Sequence, residues 1–225
     1  MKIEFKRPDG AFTGAYLAEP AAPTQAAQRG PGLILIQEWW GLNPHICALA
    51  DRFAAAGYRV LAPDLYRGRI AADADEAGHL MTGLDFVDAT HQDLAGALAY
   101  LSERCDKVGV LGFCMGGALT ISAAVNLPGL SAASCFYGIP PATLADPAKL
   151  TIPFQGHFAD LDDWCTPAGV NALQAALPAT TPADINRYPA NHAFFNDTRP
   201  DVYDAASAQL AWDRTLAFFG RHLAV

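Results

Sequence analysis

Hydrophobic positions in this chain follow two patterns, short continuous apolar runs and longer stretches with apolar residues three or four apart, and the two patterns alternate. The runs "LILIQ", "RVLAPDL", "KVGVLGF", "SAASCFYG", "LTIPFQGHF" and "DINRYP" read as strands. The first has the composition of a strand buried on both faces. Helical spacing appears in "NPHICALADRFAAAGY", where Asn43 suits the cap, Pro44 the first helical position and Gly57 the stop. It recurs over residues 85–103 (Phe86, Leu94, Leu98, Leu101), in "GALTISAAV", in "TPAGVNALQAAL" from Thr166 and Pro167, and in "DAASAQLAWDRTLAFFGRHL". Ahead of these, residues 3–7 and 12–18 predict a hairpin turning at "PDG", and Glu19–Gly32 is a Pro/Ala/Gly-rich loop. Strands alternating with helices imply parallel pairing through right-handed crossovers. Residues 1–225 are therefore predicted to form one doubly wound α/β domain, with no second domain, repeat or low-complexity tract.

Composition narrows the partners. Hydrophobic residues make up 52% and charged residues 17% of the chain, far from the balance that leaves chains disordered. The net charge of −8, with 15 Lys and Arg forming no run, argues against nucleic acid and for a small-molecule partner. The start "MKIEFKRPDG" has no apolar core of a signal peptide, and no apolar run reaches the roughly 18 to 20 residues of a membrane helix, so no membrane association and a cytoplasmic location are expected. Five cysteines (Cys47, Cys105, Cys114, Cys135, Cys165) without C-x-x-C spacing read as reduced thiols, four of them ordinary small hydrophobes.

Sites in open α/β sheets form beyond the carboxyl ends of the strands. Four reactive positions end or closely follow predicted strands: Glu38, Cys114, Asp162 or Asp163, and His192. In "GFCMGG" glycines stand two residues either side of Cys114, as a sharp strand-to-helix turn requires, and the following helix amino end favours a thiolate. A free thiol with a pKa of about 8.5 is only a few per cent ionised at neutrality, so a neighbouring base must assist. His192 in "NHAFFND" fits, and nucleophile, acid, histidine is the chain order of an α/β-hydrolase triad.

"HFADLDDW" offers Asp160, Asp162 and Asp163 to hold the imidazole, with Asp162 preferred over Asp163. Glu38, ending an apolar strand before "WW", reads equally as a solvent-facing loop carboxylate or as a poorly hydrated group whose raised pKa suits proton exchange with a thiol. Trp39 and Trp40 read equally as core or pocket wall. The oxyanion hole of such a turn uses the N–H groups of Met115 and Trp39. A metal held by His157, Asp160, Asp162 and Asp163 is disfavoured, because no second histidine stands four residues on, and no phosphate-binding or dinucleotide glycine motif occurs.

The segments "LILIQEWWGLNPHI", "GYRVLAPDLY", "VGVLGFCMGGAL", "GHFADLDDW" and "NHAFFND", in this order and with a closing "AW" helix, resemble the dienelactone hydrolase family, the carboxymethylenebutenolidase-like branch of the α/β hydrolases. The resemblance spans nearly the whole chain. It implies a mostly parallel sheet of about eight strands, no metal or organic cofactor, and a Cys114, Asp162, His192 triad with Glu38 helping to deprotonate the thiol once substrate is bound. In the family a serine follows the catalytic histidine and an arginine precedes the helix before the elbow, together clamping a substrate carboxylate. Here the first position is Ala193, and Ala71–Asp93 contains no arginine, leaving Arg67 and Arg69 just upstream as substitutes.

The expected activity is cysteine-dependent hydrolysis of a small lactone or activated ester through an acyl-enzyme, by a monomer or homodimer. The alternative is a non-catalytic small-molecule binding or thiol redox-sensing protein on the same fold.

Overall fold

In the computed structural model, residues 1–21 and 29–224 are described, so half of the predicted loop Glu19–Gly32 lies outside the described residues. The described strands form one eight-stranded sheet: β1 (Lys2–Lys6), β2 (Phe12–Ala18), β3 (Gly32–Ile36), β4 (Arg59–Pro63), β5 (Val108–Phe113), β6 (Ala132–Phe136), β7 (Phe154–Ala159) and β8 (Ala183–Tyr188). Their spatial order is β1-β2-β4-β3-β5-β6-β7-β8. The hairpin β1–β2 and the β2–β4 pair are antiparallel, and every later pair is parallel. The chain leaves β3 toward β4 and returns to its other side as β5, which creates the topological switch where α/β sheets open a crevice.

Central strands lack polar alternation because both faces are covered. Leu33 and Leu35 of β3 pack with α1 (Pro44–Ala55) on one face, and Ile34 and Ile36 join the cluster on the other. The first face is completed by the last helix (Ala205–His222) through Phe218 and Phe219. Asn43 caps α1 by accepting from the Ile46 N–H at 3.1 Å, Pro44 follows it, and Gly57 turns the chain at φ 102°, as their sequence positions predict.

Between β4 and β5 the chain departs from the sequence reading. A helix α2 (Ala74–Thr82), capped by Asp73, precedes the predicted one. The stretch read as a single helix over residues 85–103 is α3 (Phe86–Asp88), a π-helical turn (Ala89–Leu94) and α4 (Ala95–Ser102). The π turn has tertiary causes. Asp93, fully buried, takes a bidentate pair from Arg67 at 2.9 and 3.0 Å, with Arg7 at 3.6 Å, and Thr90 bonds Ser122 of α5 (Met115–Asn126). These partners are distant in sequence, so helical spacing alone does not reveal them. The segment after β7 forms α6 (Pro167–Ala176), and the carboxyl-terminal helix is α7 (Ala205–His222). No helix among the described residues is long and apolar enough to cross a membrane.

One buried polar network braces β6, β7 and β8. His157 on β7 bonds Tyr188 Oη at 2.7 Å through Nδ1 and Gln155 at 2.9 Å and Thr215 at 3.1 Å through Nε2, while its ring stacks 4.3 Å from Phe136. Burial pushes this imidazole down to about 3, aided by the Arg214 charge, so it folds as the neutral form. A folded pKa below the unfolded one contributes stability that is complete above the unfolded value and is lost as pH falls. Between pH 7 and pH 4 the neutral His157 should account for about 3 kcal/mol of lost unfolding free energy. Urea titrations across that range should show a shallower loss for His157→Gln; an identical pH slope would contradict it.

Candidate active site

The turn between β5 and α5 is built by close backbone approach. A side chain at Gly116 would place Cβ 2.5 Å from the carbonyl oxygens of Ile36 and Gln37, and one at Gly112 would run into the Gly116 carbonyl. Cys114, at the apex, is held at φ 56° and ψ −116°, a left-handed conformation costing a non-glycine residue about 1–3 kcal/mol. Its N–H donates to the Phe136 carbonyl at 3.0 Å, and its carbonyl accepts from the N–H groups of Gly117 and Ala118. These bonds leave the thiol facing a cavity of about 630 Å³ at the carboxyl ends of the strands. Strain recurs at two other cavity residues, Tyr137 (φ 37°) and Ala193 (φ 62°).

The predicted residues gather here. Glu38, Trp39, Trp40, Cys114, Met115, Asp163 and His192 all line this cavity, with Asp162 directly behind the histidine. Asp162 is buried and its Oδ2 lies 2.7 Å from His192 Nδ1, while its Oδ1 accepts from the N–H groups of Trp164 at 2.7 Å and Cys165 at 2.9 Å. Asp163 is exposed at the cavity wall and makes no bond to His192, so the geometry separates two residues that sequence could only rank. Burial pushes the Asp162 carboxyl up, but His192 and the two amides outweigh it and hold the group below its ordinary range. Burial likewise opposes charge on His192, and the Asp162 hydrogen bond and the Cys114 sulfur together raise it to about 10.

Glu38 is buried, as its apolar surroundings suggest, and its hydrogen bonds go to partners other than the thiol. It sits 2% exposed at the cavity wall, with Oε2 accepting from Asn196 Nδ2 at 2.7 Å and Oε1 from the Tyr137 hydroxyl at 3.3 Å. Desolvation pushes its carboxyl up, partly offset by nearby His45, by the Asn196 bond and by His192. No hydrogen bond joins it to Cys114 among the described residues. The N–H groups of Trp39 and Met115, two residues of the cavity wall, are engaged by no carbonyl among the described residues.

Several site features had no signal in the sequence. Tyr137 and Asn196 hold Glu38; Cys165, a buried core thiol as expected, also borders the cavity; and Arg199 with Asp201 stands on its wall. Arg67, expected as a substitute clamp, is committed to Asp93, Thr13 and the Asp64 carbonyl, and neither it nor Arg69 lines the cavity. The four residues weighed for a metal go to different places: His157 into the sheet, Asp160 toward Arg187, Asp162 to His192, and Asp163 to the exposed cavity wall.

A mostly parallel eight-stranded sheet covered by helices, with a glycine-bounded strand-to-helix turn at its centre, is the α/β-hydrolase fold. Within that class the chain belongs to the dienelactone hydrolase family, whose model matches residues 13–223. The protein is accordingly a hydrolase of this family. Similar relatives include Protein usf of Aquifex pyrophilus, 36% identical over 235 residues with 98% of each chain covered. Another is the "Putative carboxymethylenebutenolidase" of Aquifex aeolicus (strain VF5), 30% identical over 237 residues with 98% of each chain covered. The solved "Putative Dienelactone Hydrolase" from Klebsiella pneumoniae subsp. pneumoniae MGH 78578 superposes with a TM-score of 0.85 at 28% identity, covering 99% of both chains.

If Asp162 is what holds the imidazolium, Asp162→Asn should bring the His192 titration down from about 10 toward the ordinary imidazole range. Asp163→Asn should leave it in place. Ring-proton NMR titration reads both, and an equal response to the two substitutions would refute the pairing.

Proposed function

We propose that the protein hydrolyses a small ester or lactone through a thioester formed on Cys114. The observation that carries this is the strained Cys114 apex, at a helix amino end, sharing one cavity with a histidine that a buried aspartate holds. Its family membership and the carboxymethylenebutenolidase relatives support the same substrate class.

With its imidazole raised by Asp162 and the nearby sulfur, His192 enters as the imidazolium, and the Cys114 proton passes to Glu38 once substrate is bound, which leaves the sulfur nucleophilic. The sulfur attacks the carbonyl carbon, and the free N–H groups of Met115 and Trp39 receive the developing oxyanion. Collapse breaks the ester bond, and the leaving alkoxide takes the His192 proton. Neutral His192 then accepts a proton from water as that water attacks the thioester, releasing the acid and restoring the sulfur.

Glu38, fixed by Tyr137 and Asn196, is the second carboxyl of the site. Since no bond joins it to the sulfur in this arrangement, its part in deprotonating Cys114 requires the thiol to turn toward it once substrate is bound.

Cys114→Ala should abolish turnover of an aryl acetate with the circular dichroism spectrum retained, and the wild type stopped early should gain one acetyl mass on Cys114. Glu38→Gln should lower kcat/KM by about 10²-fold if its carboxylate takes the thiol proton, within the usual range for a general base. Peroxide-sensitive Cys114 with no acyl adduct and no turnover would favour a thiol sensor over a hydrolase.

A further inference from the structure

Among the described residues lining the cavity, three carboxyl side chains, Glu38, Asp163 and Asp201, stand against a single Lys or Arg side chain, Arg199. That guanidinium is already engaged. Its Nη2 donates to Asp201 Oδ2, and its carbon lies 5.8 Å from the Trp40 ring. Much of the rest of the wall is apolar and includes three indoles, with Trp39 set 5.2 Å from Trp40 and 6.2 Å from Trp164, both pairs edge to face. At the rim Trp164 and Leu161 are 70% and 63% exposed, large apolar surfaces that a bound apolar group would cover.

We propose that the cavity selects uncharged esters or lactones bearing an aromatic or bulky apolar group, and that Asp201 sets this preference by occupying Arg199, the single Lys or Arg among the described residues of the wall. The inference rests on the ester-hydrolase reading of the same site and adds the substrate class.

The argument is one of competition. A substrate carboxylate entering the cavity would have to displace Asp201 from the guanidinium while facing Asp163, with Ala193 offering no hydroxyl beside His192. An apolar aromatic group meets no such cost, since the indole faces need no partner for a charge. The polar groups then serve only the reacting carbonyl, as in small-molecule sites where a few polar groups orient a ligand held mostly by apolar contact. Asp201 is 60% exposed, so its replacement should leave the core undisturbed.

Methyl 4-acetoxybenzoate and 4-acetoxybenzoate carry the same aryl acetate and differ in one carboxylate. With each rate normalised to hydroxide-catalysed hydrolysis, the wild type should favour the neutral ester by about tenfold or more, the scale on which an unpaired charge is disfavoured. Asp201→Asn should raise the anion-to-neutral ratio of kcat/KM by about fivefold at low salt, with the gain shrinking as salt is added. Equal or better use of the anion by the wild type, or an unchanged ratio in Asp201→Asn, would overturn the proposal.

A second measurement needs no turnover: tryptophan fluorescence of Cys114→Ala titrated with methyl 4-hydroxybenzoate and with 4-hydroxybenzoate, with and without Asp201→Asn. Tighter binding of the neutral phenol, narrowed by Asp201→Asn, upholds the selectivity even where neither acetate is turned over, an outcome that would sink the hydrolase reading alone. Tighter binding of the anion sinks the selectivity whatever the turnover.

Discussion

The contact on which the site depends is the approach of the amino end of α5 to the end of β3, close enough that a single added carbon at Gly116 would meet two main-chain carbonyls at 2.5 Å. That approach brings Cys114 over the carboxyl ends of the central strands and holds it at positive φ. The thiol thus gains a helix amino end from backbone geometry alone. The strain at Cys114 persists because its N–H and carbonyl are tied to β6 and to its own helix.

Electrostatics in the cavity follow from burial acting in opposite senses on neighbouring groups. Asp162, buried with three donors, stays ionised and holds His192, whereas Glu38, buried with two neutral donors, is pushed toward its protonated form. Two carboxyl groups in one site are thereby driven apart in pKa, the arrangement that lets a single pocket present both a fixed charge and an exchangeable proton. Burial also raises the Tyr137 hydroxyl well above its ordinary value, so it remains a donor to Glu38. His157, on β7 of the same sheet, serves packing instead, since both of its ring nitrogens are consumed by neighbours.

Much of this was legible in the chain because it depends on local rules. Buried strands announce themselves as unbroken apolar runs, Asn43, Pro44 and Gly57 bracket α1 as capping chemistry demands, and the glycines around Cys114 mark a turn no larger residue fits. The strand ends then nominate Glu38, Cys114, Asp162 or Asp163, and His192. The π turn was not legible, because Arg7 and Arg67 reach Asp93 from segments 86 and 26 residues away. Nor was the grip of Asn196 on Glu38, which crosses 158 residues.

By itself, then, the sequence determined the order of the strands, the parallel sheet, the elbow and the residues nominated for chemistry at its end. Tertiary structure alone decided between Asp162 and Asp163, turned Glu38 toward Tyr137 and Asn196, withdrew Arg67 to Asp93 and set Arg199 against Asp201 on the cavity wall. The physical reason is range. Backbone conformation and periodic burial are written over a few neighbouring residues, while the charge state and orientation of a side chain are set by groups the fold brings from elsewhere in the chain.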